Sequence, residues 1–416
     1  MALPKFAKIR QNFQAESMTN IPKKVADEFI QVQADDKVKP GMEIAITVGS
    51  RGIANIPLIV KSTADEIKKR GATPFIIPAM GSHGGATAEG QIEVLDGLGV
   101  TEESTGCEIR SSMEVVEIGK TSAGIPVYID QHAYQADGII VMGRVKPHTD
   151  FKKEIESGVL KMASIGMGKH KQALALHSYG IKGIRDMMPD VGKVAIRNSN
   201  TLFGVAIVEN AHEETAIIEA ILPDEIEMRE RELLTKAFDL MPSLPVNELD
   251  ILVVDEIGKN YSGTGMDTNI IGRIRVLGVE EPKKPDIKYV IASDLSEASH
   301  GNALGIGLAD LTTNRLFEKI DFAAMNENVI TSTFLDRAKI PIVLESDEAA
   351  LEAAMRATWG VASDQARIAR IPNTLHIGEL YVSEVIFNEL KEQENIEVIE
   401  DLHDMEFNTD GYFPSM

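Results

Sequence analysis

Short apolar runs alternate with longer amphipathic segments along most of this chain, and this alternation limits the possible folds more than any other feature. The runs MEIAITVG (42–49), TPFIIPAM (73–80) and ADGIIVMG (136–143) have the length and composition of buried strands. Segments 56–71 and 86–99 have the spacing of amphipathic helices. Strands that alternate with helices form βαβ units around a parallel sheet. The sequence therefore predicts an α/β fold.

A second α/β domain is predicted in the C-terminal half. A chain of 416 residues is longer than one hydrophobic core usually serves. Two prolines and several polar residues interrupt the pattern over 241–250, and a new series of apolar runs begins with DILVVDEIG. We therefore predict an N-terminal domain over 1–245 and a C-terminal domain over 246–390. The acidic tail, 391–416, is expected to pack back on the N-terminal domain.

The charge balance argues against nucleic-acid and membrane partners. Asp and Glu total 64 against 42 Lys and Arg, and the net charge is -22 at pH 7. Such a surface repels phosphates and anionic lipid. The sequence lacks an apolar run of the ~18 residues that a membrane-spanning helix needs. Its single cysteine, Cys107, cannot form an internal disulfide, and we expect a cytoplasmic protein.

Three polar side chains are predicted to follow the first three strands. Arg51 comes after the first strand, His83 of GSHGG after the second, and His148 of KPHTD after the third. The carboxyl ends of parallel strands meet at one edge, where such folds bind ligands. Each residue alone is equally compatible with a surface loop, but their joint occurrence favours a site. An arginine holds a carboxylate and two histidines exchange protons, which suits a racemase.

The stretch GVLKMASIGMGKHKQALALHSYG, residues 158–180, is basic within an acidic chain. Its Lys161 is able to form a covalent link to a cofactor, and its His177 is able to bind a metal. A lysine on a helix surface explains Lys161 about equally well on spacing alone. The motif GMGKH lacks the first glycine and the Ser or Thr of a phosphate-binding P-loop, and the first strand turn lacks the dinucleotide glycine pattern. A nicotinamide dehydrogenase is therefore not favoured.

Five residues and their motifs follow one another in a specific order. They are Arg51, then His83 in GSHGGAT, His148 in KPH, Lys161 in SGVLK and His177 in ALALH. This ordered set resembles the nickel-dependent lactate racemase family, the nickel-pincer racemases and epimerases of 2-hydroxy acids. The resemblance implies two α/β domains with an active-site cleft between them.

The same resemblance implies a role for each of the five residues. Lys161 would carry a covalent pyridinium mononucleotide with thioamide or thiocarboxylate arms, the nickel-pincer nucleotide, and His177 would bind its nickel. His83 and His148 would be the paired acid and base, and Arg51 would hold the substrate carboxylate. In the family's reaction hydride leaves C2 for the cofactor and returns to the opposite face, which inverts C2.

A nucleotide cofactor also needs cations near its phosphate and enzymes that make and attach it. The resemblance therefore implies maturation enzymes as partners. The lysines that flank the motifs are the candidate phosphate contacts: Lys152, Lys153, Lys169 and Lys171.

Two arginines in the C-terminal half suggest the size of the substrate. The segment 263–276 is similar to the one where lactate racemases place a glutamine and a lysine, and here those positions are Gly272 and Arg275, with Arg273 between them. A buried arginine without a partner is costly, so we expect a substrate with distal polar groups, larger than lactate. A sugar acid such as gluconate or a malate-like acid fits. On a helix the two arginines would point to different faces, and Arg275 is favoured.

Other classes of protein stay open at this stage. A pyridoxal-phosphate racemase would use Lys161 as a Schiff base and would not need His177. A non-catalytic sugar-acid or nucleotide-binding protein would need the histidines only for structure. A metal hydrolase is less favoured, since no carboxylate-rich metal triad stands out. His300 and Trp359 are each compatible with a cleft wall or with ordinary packing.

Overall fold

The computed structural model describes residues 3–13 and 15–416, and they form two compact units. The six-stranded unit contains Ala15–His148 and Lys152–Met241. The eight-stranded unit contains the described residues before Ala15, together with Thr149–Phe151 and Pro242–Met416. The long C-terminal segment of the eight-stranded unit begins at Pro242.

The strands are numbered in chain order. They are β1 (Phe6–Gln11), β2 (Glu43–Val48), β3 (Thr73–Pro78), β4 (Glu108–Ile109), β5 (Val115–Lys120), β6 (Pro126–Asp130), β7 (Gly138–Arg144), β8 (Thr201–Glu209), β9 (Thr215–Ile221), β10 (Glu248–Ile257), β11 (Asp286–Leu295), β12 (Leu311–Thr313), β13 (Ile342–Leu344), β14 (Ile368–Ile371), β15 (Glu379–Ser383) and β16 (Ile396–His403).

The helices are numbered in the same way. They are α1 (Ile21–Gln31), α2 (Ala34–Lys37), α3 (Ile56–Lys69), α4 (Ala88–Gly97), α5 (Glu102–Thr105), α6 (Gln131–Gln135), α7 (Val159–Lys161), α8 (Lys169–His177), α9 (Met188–Asn198), α10 (Ile226–Leu240), α11 (Thr268–Ile271), α12 (Asn314–Glu318), α13 (Phe322–Ser332), α14 (Asp347–Ala357) and α15 (Glu384–Leu390). Turns of π-helix cover Met162–Gly166 and Gly183–Met187.

The six-stranded sheet has the order β4-β3-β2-β7-β8-β9, and only its β8–β9 pair is antiparallel. Helices cover both faces. Side chains of β2 alternate between two cores, so that Ile44 and Ile46 join residues of α1 and α3, while Ala45 joins residues of α9 and α10. A strand buried on both faces reads as one continuous apolar run, which is why β2 stands out in the sequence.

The eight-stranded sheet has the order β13-β12-β11-β10-β14-β15-β1-β16. The strands from β13 to β14 are parallel, and the remaining pairs are antiparallel. The tail beyond 391 contributes β16, which pairs with β1, and both strands belong to this unit. The predicted α/β class with parallel sheets in both halves is confirmed.

In the part of the chain that the structure describes, no helix has the length and apolar character to cross a membrane. Cys107 is a free, buried thiol.

Candidate functional site

The strands β3, β2 and β7 are neighbours in the six-stranded sheet and run parallel, so their carboxyl ends lie at one edge. Arg51 follows the end of β2, His83 follows β3 and His148 follows β7. The structure thus places the three predicted residues on loops at the same edge of one sheet.

His83 lies in a tight turn that is fixed on both sides. The side chain of Gln91 donates a hydrogen bond to the carbonyl of Gly81 (3.0 Å), and Thr87 accepts one from Gly90 as the N-cap of α4 (3.0 Å). The imidazole Nδ1 of His83 lies 2.8 Å from the carbonyl oxygen of Met80. A carbonyl only accepts, so Nδ1 carries the proton and Nε2 of the neutral ring carries the lone pair.

The surroundings favour the neutral form of His83. Desolvation of the imidazole is the largest cause that lowers its pKa, and the positive charges of Arg51 and Lys161 lower it further. The hydrogen bond to Met80 acts in the opposite direction and is outweighed. The neutral imidazole is therefore the favoured form of His83 near pH 7, and the charges of Arg51 and Lys161 contribute to this.

Lys161 ends α7, and the π-helical turn that follows it packs on the same sheet edge. An added Cβ at Gly143, in β7, would lie 2.9 Å from Cγ of Met162, and one at Gly49, just after β2, would lie 3.2 Å from its Cε. The amide of Gly81 donates to the carbonyl of Gly166 at 3.3 Å. The absence of side chains at Gly49 and Gly143 thus lets the turn beside Lys161 sit on the ends of the strands.

His177 is the last residue of α8. Burial lowers its pKa most, and the positive charge of Lys161 lowers it further. Lys161 therefore acts on both His83 and His177. A neutral imidazole with an available lone pair is the form that binds a metal.

The loop that carries Arg51 is held by residues far along the chain. Glu209, at the end of β8, accepts from the amide of Ala54 at 2.6 Å and from Nη1 of Arg144 at 2.5 Å. The hydroxyl of Thr215 donates to the carbonyl of Ala54 at 2.9 Å. Sequence analysis missed Glu209, because only the sheet order brings β8 beside this loop.

The loop that carries His148 is held by a buried carboxylate. Glu156 accepts from the backbone amides of His148 (2.6 Å) and Lys153 (2.7 Å), and burial raises its pKa. Nζ of Lys152 donates to the carbonyl of His148 at 2.7 Å and lies 3.6 Å from Glu156. Nζ of Lys153 lies 3.2 Å from Asp186. Both lysines thus have protein partners, and their role as phosphate contacts stays a prediction.

Lys169 requires a correction. Its side chain is fully buried, and Nζ contacts the carbonyl of Pro78, Gln91 Oε1 at 2.9 Å and Asp130 Oδ2 at 3.2 Å. The ammonium group thus donates two hydrogen bonds and forms a buried ion pair with Asp130. Lys169 therefore ties α8 to β3 and β6 instead of binding a cofactor phosphate.

The substrate argument from Arg273 and Arg275 also requires a correction. The two residues follow α11 outside any helix, and both guanidinium groups pair with Asp310, at 2.5 Å from Arg273 and 2.8 Å from Arg275. Arg273 also donates to the carbonyl of Ile287 at 2.7 Å. The arginines thus have an internal counter-ion, and neither needs a ligand carboxylate.

The structure also bears on clusters of metal-binding side chains and on Trp359. Within residues 3–13 and 15–416 no group of three or more His, Cys, Asp or Glu is arranged to hold a metal ion. Trp359 is 90% exposed, so it is not a packing residue.

The fold and this edge define a class: α/β proteins with two histidines and an arginine on the loops at one edge of a parallel sheet, and a lysine on a helical turn that packs on that edge. Residues 9–182 match the family described as lactate racemase N-terminal domain, a range that includes all five motif residues. The resemblance to the lactate racemase family is thereby confirmed. The lactate racemase apoprotein from Thermoanaerobacterium thermosaccharolyticum has a similar structure, with a TM-score of 0.52 and 14% identity over 88% of this chain and 94% of that chain. No curated protein matches this sequence.

Proposed function

We propose that this protein is a racemase or epimerase of 2-hydroxy acids that works with a nickel-pincer nucleotide linked to Lys161. One observation carries the proposal: Arg51, His83 and His148 follow neighbouring parallel strands at one sheet edge, and the turn beside Lys161 packs on that edge at Gly49 and Gly143. The direction in which the charges of Lys161 and Arg51 shift the pKa of His83 supports this grouping.

The donor set fits the proposed cofactor. Lys161 supplies a primary amine for an amide link, on a turn that the strand ends support. His177 supplies a neutral imidazole, a suitable ligand for nickel. His177 would be the residue of this chain that holds the nickel.

The residues of the chain divide the remaining work. Arg51 binds the substrate carboxylate with two parallel hydrogen bonds. His83 takes the proton of the C2 hydroxyl at Nε2, because Nδ1 already donates to Met80. His148 acts as the second acid and base for substrate of the opposite configuration. When bound, the cofactor supplies reversible hydride transfer at C2.

The proposed substrate class is 2-hydroxy acids. Because Asp310 pairs with both Arg273 and Arg275, these two arginines give no reason for a substrate larger than lactate. The hydroxyl and the carboxylate on adjacent carbons are the groups for which His83 and Arg51 are suited.

The test is peptide mass analysis of protein purified from its native host. We expect added mass on the peptide that contains Lys161, nickel that is lost in His177→Ala, and interconversion of the two configurations of a 2-hydroxy acid. An active sample in which the Lys161 peptide has no added mass would exclude the covalent cofactor. Full exchange of the C2 hydrogen with deuterated water would indicate proton transfer at C2 instead.

A further inference from the structure

A buried carboxylate lies directly behind the turn that carries Lys161. Glu230, on α10, is 1% exposed. It accepts hydrogen bonds from the backbone amides of Val159 and Leu160, the latter at 3.2 Å. The desolvated carboxyl has its pKa raised to about 8, with only these two amides acting against the shift.

The start of α7 explains why an acid occupies this position. Its N-cap is Gly158, which has no side chain with which to cap the helix. The two backbone amides donate to different oxygens of Glu230, and a carboxyl group presents two acceptor oxygens where an amide presents one. Gly158 also has φ +95°, and a Cβ there would collide with Oε1 of Glu230. Glu230 therefore supplies the cap that Gly158 lacks. It can approach the start of α7 closely because Gly158 has no side chain.

The other end of the same turn is supported by the sheet. Met162 packs against Gly49 and Gly143, and Gly166 accepts from Gly81. Lys161 lies between this support and the amides that Glu230 caps. The backbone of Lys161 is thus fixed from both sides, and only the Glu230 side depends on a single side chain.

We propose that Glu230 is a positioning residue for Lys161, and that it fixes the backbone of the turn that carries the Lys161 amine. The proposal rests on the proposed function for its importance to the reaction, since Lys161 is the residue that would carry the cofactor. The contacts themselves belong to the protein without cofactor.

The charge of Lys161 provides a readout of its position. That charge is one of the causes that lower the pKa of His83. If Lys161 moves away, the pKa of His83 rises toward its ordinary value of 6.5. A substitution that only loosens α10 leaves this titration unchanged.

The experiment compares Glu230→Gln with Glu232→Gln in protein made without the cofactor. Glu232 lies on the same helix with an exposed side chain and pairs with Arg229, so it is a matched control. Amide hydrogen exchange at Val159 and Leu160 is measured together with the NMR titration of His83. In Glu230→Gln we expect roughly tenfold faster exchange, as for the loss of one buried hydrogen bond. We also expect a higher pKa of His83, in the direction found for Lys161→Met.

The results that would overturn the proposal are specific. Faster exchange with an unchanged His83 titration would make Glu230 a purely structural residue, and no change in either would remove its role altogether. If Glu230→Gln does not fold, Val159→Pro decides: it removes one donor at the first helical position, where proline is tolerated. A raised His83 pKa in that variant supports the proposal, and an unchanged one overturns it. Because the cofactor is absent, a native Lys161 without added mass would refute the proposed function and leave these readouts intact.

Discussion

Arg51 of the six-stranded unit differs from the buried arginines of the eight-stranded unit. In the eight-stranded unit, Arg337 is buried and lies 2.5 Å from Asp150, and Arg370 lies 2.7 Å from Asp255. In the six-stranded unit, no carboxylate among the described residues pairs with Arg51, whose charge acts instead on a histidine.

This difference separates structural from functional charges. A buried cation and its carboxylate partner depend on each other in the fold, because removal of either one leaves the other charge uncompensated and is strongly destabilising. Cations that lie beside histidines and lower their pKa do not stabilise one another. Histidines with a pKa perturbed in this way are typical of ligand sites.

The largest expected effect comes from Lys161, and two substitutions separate its charge from its nucleophilicity. Lys161→Arg keeps the positive charge, so the pKa of His83 should stay low, but the covalent link and all turnover should be lost. Lys161→Met should lose the link and also raise the pKa of His83. NMR titration and peptide mass analysis measure both. Equal His83 titrations in the two variants would contradict the electrostatic link.

The second effect concerns stability and pH at Glu230. Its carboxyl pKa is raised from 4.5 to about 8, so the folded state binds this proton more tightly than the unfolded state. The stability that this proton contributes is present below pH 4.5 and is lost as the pH rises to about 8. Glu230→Gln cannot titrate and should flatten this fall.

The measurement is equilibrium urea unfolding at several pH values between these limits, with Glu232→Gln as the control. The difference in unfolding free energy between the wild type and Glu230→Gln should change by several kcal/mol over the range, since one pKa unit corresponds to about 1.4 kcal/mol. Parallel curves would show that Glu230 titrates normally in the folded protein.

The placement of three candidate residues at one sheet edge was predictable from the sequence, because it depends only on the strand that precedes each residue. The strands before Arg51, His83 and His148 are continuous apolar runs, and a parallel sheet brings their carboxyl ends to one edge whatever the strand order. The partners of charged groups were not predictable in this way. Lys169 meets Asp130 and Gln91 only in the folded chain.

The sequence of α10 already indicates that Glu230 is a buried acid. On α10 the buried positions Ile226, Glu230, Leu233, Leu234 and Ala237 follow helical spacing. An acid on the apolar face of a helix has to meet a donor. The pattern therefore indicates a buried hydrogen bond at Glu230, although it does not identify Val159 and Leu160 as the donors.

The third prediction tests whether the ion pairs of Asp310 stabilise the eight-stranded unit. Asp310→Asn leaves Arg273 and Arg275 without a counter-ion. The three side chains are partly exposed, so we expect a loss of about 2 kcal/mol, less than the ~3–5 kcal/mol of a fully buried pair. Asp336→Asn, which removes only an exposed pair with Lys339, should change stability by less than about 0.5 kcal/mol. Urea unfolding measures both, and equal values would show that the Asp310 pairs are not structural.

The smallest expected change in stability comes from Arg51, the arginine of the candidate site. Arg51 has no carboxylate partner among the described residues, so Arg51→Met should change the unfolding free energy by less than about 0.5 kcal/mol. Its charge nevertheless lowers the pKa of His83, so the substitution should raise that pKa toward 6.5. A lowered histidine pKa contributes stability above the unfolded value that is lost as the pH falls, and Arg51→Met should reduce this loss.

The exposed Arg197 of α9 provides the control for Arg51, since Arg197→Met removes the same charge and is not among the groups that act on His83. NMR titration of His83 in the two variants decides the comparison. A rise in the His83 pKa in Arg51→Met alone means that Arg51 acts locally at the sheet edge, where it is placed to hold a substrate carboxylate. An equal rise of the His83 pKa in both variants would mean that only the net charge of the chain matters. Arg51 would then have no local effect on His83 that sets it apart from other arginines.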